Sequence, residues 1–137
     1  MDDALILLIP GADRLVALYG RWPSFHDAAL LSLSVSAEPG DPDAPTVTIR
    51  FALNGWSNDA PDRGALATLV WREVEWLELS GADGQNWAWD MNVERQPDGL
   101  WRTTIHGGGA DTLQGLSTGG VVVARGLAVL DARFEPA

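Results

Sequence analysis

Alternation of apolar and polar positions is the dominant signal in this chain. From Ala29 to Ala37, Leu31, Leu33 and Val35 alternate with Ser32, Ser34 and Ser36, the period of a half-buried strand. A turn-forming stretch from Glu38 to Pro45 follows. Thr46 to Leu53 then repeats the pattern, with Val47, Ile49, Phe51 and Leu53 inward and Thr48 and Arg50 outward, so the two runs predict a hairpin. Trp87, Trp89, Met91 and Val93 form a third alternating set, and Leu100 to His106 returns as its partner across the turn residues Gln96-Pro97-Asp98-Gly99. A last long strand pattern runs from Val121 to Phe134, where Gly126 predicts a bulge or bend.

Two regions depart from period two. Ala65 to Arg72 and Val74 to Ser80 read as two strands of muddled phase, because Leu69 and Trp71 fall on one face and Leu66 and Val70 on the other. Burial on both faces, or a register change near Glu73, accounts for such a pattern. Near the N-terminus, Leu15, Leu18 and Tyr19 share one side of a helix over Ala12 to Tyr19, opened by Pro10-Gly11 and closed by Gly20. Two turns of helix are marginal alone and require a larger body to pack on. The expected fold is therefore α+β: one short N-terminal helix and about seven or eight strands in a mainly antiparallel sheet or partly rolled sandwich. A length of 137 residues fits one domain over 1–137.

Composition narrows the function classes. The chain has no Cys, which removes disulfides, thiolate metal sites and Cys nucleophiles. Nine Arg and no Lys stand against nineteen acidic residues, for a formal charge of −10. A field of that sign opposes nucleic acid and anionic membranes and favours a basic partner. The N-terminus is acidic where a secretory leader is basic, and the apolar run Ala4 to Ile9 is too short to span a bilayer, so a cytoplasmic location is expected.

The most distinctive segment is Gly20-Arg21-Trp22-Pro23-Ser24-Phe25-His26-Asp27-Ala28. Pro23 restricts itself and Trp22, making a defined corner. Trp22 and Phe25 are placed to anchor it, while Ser24, His26 and Asp27 satisfy its backbone groups. At these residues the chain resembles the bacterial immunity protein 50 family of polymorphic toxin systems. Pro10-Gly11-Ala12 and the stretch Leu69-Val70-Trp71, Val74, Leu77-Glu78-Leu79 and Gln85-Asn86 also fit, whereas the Gly-rich segment from Gly107 to Gly120 departs from the family pattern. The resemblance implies a cytoplasmic protein that neutralises a cognate toxin domain by binding it, without catalytic residues, cofactor or metal.

Chemical alternatives are weaker on the residues themselves. His26-Asp27 with His106 supplies only two His for a metal-dependent hydrolase, and neighbours on an extended segment point apart. Ser24, His26 and Asp27 are too close in sequence to align as a triad. Gly107 to Asp111 lacks the Lys of a phosphate loop. The carboxylate pairs Glu73/Glu75 and Asp90/Glu94 suit solvated strand faces. Seven Trp keep a carbohydrate-binding module open, with Trp56 and Trp101 as the free rings, while Trp22, Trp71, Trp87 and Trp89 read as core. For a toxin partner the expected contact set is Trp56, Asp59, Asp62 and Arg63, followed by Asp83 and the exposed acidic strand face, because an aromatic ringed by carboxylates combines anchoring with steering.

Overall fold

A computed structural model describes residues 3–23, 25, 28–38, 41–53, 64–80, 87–107 and 119–134. Two short helices, α1 (Asp3–Ile6) and α2 (Ala12–Tyr19), precede six strands: β1 (Ala28–Glu38), β2 (Asp41–Leu53), β3 (Ala65–Ser80), β4 (Trp87–Arg95), β5 (Trp101–Gly107) and β6 (Gly119–Phe134). All pairings are antiparallel and close a barrel in the order β1-β2-β3-β6-β5-β4. The expected seven or eight strands become six among the described residues, and the sheet closes where a sandwich was one expectation.

The difference in strand number has a local cause. β3 is one strand through the point where the sequence predicts a break. Its inward residues are Ala65, Ala67, Leu69 and Trp71, then Val74 and Leu77, so the pleat slips at Arg72-Glu73 and again at Glu75-Trp76. Glu73 takes φ 52°, and the register with β6 shifts between Val74 and Trp76. Bulges of this kind re-aim side chains without ending the strand. β6 slips in step, since Trp71 faces Leu127 and Val74 faces Ala124, with Gly126 opposite Arg72 between them. The bend expected at Gly126 is this shared change of phase.

The helix over Ala12–Tyr19 forms as its spacing predicts. Gly20 closes it at φ 91°, donating its N–H to the Val16 carbonyl at 2.8 Å. Ala12, Leu15 and Tyr19 are buried in the main core. The helix sits where β6 outruns β5, whose register stops at Ala124. There the Val129 N–H donates to the Pro10 carbonyl at 2.8 Å, and Arg14 Nη1 reaches the Leu130 carbonyl at 3.4 Å. The N-terminal segment thus satisfies strand groups that β5 leaves open.

The corner before β1 is anchored by its aromatics and proline. Pro23 and Phe25 are buried, and the Phe25 ring meets Phe51 edge-on at 4.9 Å and Trp22 at 6.0 Å. Phe25 holds φ 62°, an uncommon backbone state for a bulky residue, maintained by this packing. The Ala28 N–H donates to the Phe25 carbonyl at 3.1 Å, completing the turn into β1.

One strand departs from its expected burial. Leu33 pairs with Ile49 and Val35 with Val47, so each shares a face with a core residue. Ile49 and Val47 are fully buried, yet Leu31, Leu33 and Val35 are 50%, 40% and 51% exposed. The reason is the seam: β1 pairs with β4 only at Ala28 and Ala29, and the remainder of β1 outruns it. The register with β2 slips between Leu30 and Ser32, and beyond that point β1 belongs to a hairpin arm.

Candidate partner-binding surface

Several expected site residues lie outside the described residues: Ser24, His26, Asp27, Trp56, Asp59, Asp62, Arg63 and Asp83. Trp87, Trp89 and His106 are described as strand positions only. Among the described residues, no three His, Asp or Glu gather as metal ligands. No helix among them is long and apolar enough to cross a membrane.

One described aromatic ring departs from its expected place, and one exposed ring had no place assigned to it. Trp101, expected to be free, is buried: it begins the inward set Trp101, Thr103 and Ile105 on β5, and Arg95 lies 4.7 Å over its ring. Trp71 is fully buried as expected, and its indole Nε1–H donates to Thr103 Oγ1 at 2.8 Å, which satisfies both buried groups. The exposed ring is Trp76, with 59% of its surface accessible. Its signal was present in the sequence. Glu73, Glu75 and Glu78 flank it within the stretch of broken alternation, and a pleat slip there turns a ring outward.

Trp76 sits on a surface built by four strands. Register aligns Trp76, Val123, Arg102 and Glu94 in one row across β3, β6, β5 and β4. The next outward row is Glu78, Val121, Thr104 and Asn92. Between them runs the inward row Leu77, Val122, Thr103 and Val93, largely buried, which fixes the sheet beneath. The Trp76 surface is therefore the outer face of strands whose inner face is packed into the core.

Polar groups surround this apolar strip. Arg125 Nη2 and Glu75 Oε1 are 3.2 Å apart, and both side chains are exposed. Asn92 Nδ2 donates to Glu94 Oε1 at 3.0 Å. Glu73 and Glu75 are both exposed to solvent, as their strand positions suggest. An exposed Trp beside half-buried Val121 and Val123, rimmed by charges of both signs, has the make-up of a protein-binding patch. No protein-family model, curated protein or solved structure matches the chain.

Proposed function

We propose that this protein is an immunity-type binder, which neutralises a bacterial toxin domain in the cytoplasm by covering its active surface in a stoichiometric complex. The observation that carries this reading is Trp76, a large ring exposed on a surface of four hydrogen-bonded strands. Burying such a ring against a partner supplies anchoring energy, and rim charges add selectivity. The net charge of −10 steers a basic toxin domain towards the protein before contact. The corner from Trp22 to Asp27, where the chain resembles the immunity protein 50 family, supports the same reading as a structural element. In this role the protein needs neither a cofactor nor a metal.

Co-expression with the toxin domain encoded immediately beside it tests the proposal. The wild type is expected to restore growth and to co-purify as a stable complex. Trp76→Ala should keep the fold and weaken the complex by about 30-fold or more, the scale of losing a hot-spot aromatic. A wild type that neither protects nor binds would sink the function. Full protection by Trp76→Ala would remove this surface from it.

A further inference from the structure

The apolar rows of the core end in the open at β1. One row runs Leu127, Trp71, Val47, Val35, and the next Val129, Leu69, Ile49, Leu33. Their inner members are buried, whereas Leu33 and Val35 are 40% and 51% exposed. Every residue from Leu31 to Ala37 is exposed, and beyond Ala29 no described strand pairs with the outer edge of β1.

This edge lacks the usual safeguards. Ala28 to Ala37 contains no charged residue and no proline, in a chain whose net charge is −10. The distal part of β3 offers a contrast. Its register with β2 ends at Trp71, and the stretch beyond carries Glu73, Glu75 and Glu78. Charges on an exposed strand discourage edge-to-edge pairing, and an uncharged aliphatic edge invites it.

The spacing on β1 is also its own complement. Antiparallel pairing of two β1 edges about Ser34 sets Leu33 against Val35, Leu31 against Ala37, Ser32 against Ser36 and Ser34 against itself. Apolar side chains then continue the core row on one face, and serines line the other. Both copies use the same residues, as a closed two-fold contact requires. No carboxylate lies between Leu31 and Ala37, so the paired segments carry no like charges against one another.

We infer that β1 is a homodimerisation edge, where two copies join their sheets by antiparallel pairing of Leu31 to Ala37. This inference does not rest on the toxin-binding reading, which uses the outward surface around Trp76. The contact is small, seven residues a side against about twenty to thirty in a standard interface, so the dimer is weak and concentration-dependent. Added salt strengthens it by screening the negative charge on the two copies.

Light scattering coupled to size-exclusion chromatography, over a concentration series of the full chain, tests the inference. The wild type should move from the monomer mass to twice that mass. The double variant Leu33→Lys, Val35→Lys should stay monomeric at the same concentrations. Lysine interrupts the apolar row yet lowers the overall negative charge, so general repulsion cannot explain that loss. Hydrogen exchange on the wild type gives a second reading: amides between Leu31 and Ala37 should gain protection as the protein is concentrated. A wild type that stays monomeric throughout, assemblies that grow beyond two copies, or a double variant that dimerises equally well would each overturn the inference. So would β1 protection that appears only when a foreign protein is added.

Discussion

β1 and β2 carry almost the same sequence pattern and end in opposite environments. Leu31, Leu33 and Val35 alternate with serines; Val47, Ile49 and Phe51 alternate with Thr48 and Arg50. Paired residues share a face, yet Ile49 is fully buried and Leu33 is 40% exposed. Alternation specifies which side of a strand is apolar. It does not specify whether another strand lies alongside. β2 has β1 and β3 as neighbours, whereas β1 beyond Ala29 has β2 alone among the described residues.

Truncating one member of each strand tests this difference in environment most directly. Ile49→Ala leaves a cavity between strands and should cost about 2–5 kcal/mol. Leu33→Ala, measured in dilute monomer, should cost less than about 1 kcal/mol, because its side chain already meets water. Urea denaturation of both variants reads the contrast. Equal losses would mean that β1 is covered in solution even as a monomer.

Two strands, β6 and β1, outrun their neighbours and meet different surroundings. The end of β6 beyond β5 is met by Pro10, Gly11 and Arg14, while β1 meets no such segment among the described residues. Gly11 makes that approach possible. It takes φ 81°, and a Cβ there would overlap the Val129 carbonyl oxygen. Gly11→Ala should therefore destabilise the fold by about 1–3 kcal/mol from backbone strain alone, lowering the thermal midpoint. Faster exchange at the Val129 amide would locate the damage at this contact. An unchanged midpoint would show that the N-terminal segment does not hold β6.

The smallest expected effect lies on the Trp76 surface. Exposed ion pairs contribute little, so Arg125→Gln should change stability by less than about 1 kcal/mol. The same denaturation experiment checks it. A larger loss would show that the Arg125–Glu75 pair braces the slip in β3, beyond its place on a polar rim.

Legibility of the sequence followed the range of the interaction. The helix over Ala12–Tyr19, the β1–β2 hairpin and the turn at Gln96 to Gly99 rest on neighbours in sequence, and all three are present. In that turn Gly99 takes φ 87°, its N–H donates to the Gln96 carbonyl, and Asp98 Oδ1 accepts from the Leu100 N–H, as the residue types suggest. The continuity of β3 through Glu73 was harder to see, because a bulge and a strand break disturb alternation alike. Trp101, expected to be free, is buried for the same kind of reason. Burial of a ring depends on the face its strand turns inward, and one slip reverses that face.

What the residue order alone determined is the strand faces, the helix and its glycine cap, the proline corner, and the net negative charge. Tertiary structure decided the closure of six strands into a barrel, the packing of α2 against the end of β6, and the exposure of both Trp76 and the distal β1. Hydrogen-bonded neighbours far apart in sequence produce those outcomes. A periodic pattern records the side a residue faces, and only the assembled sheet sets what stands opposite it.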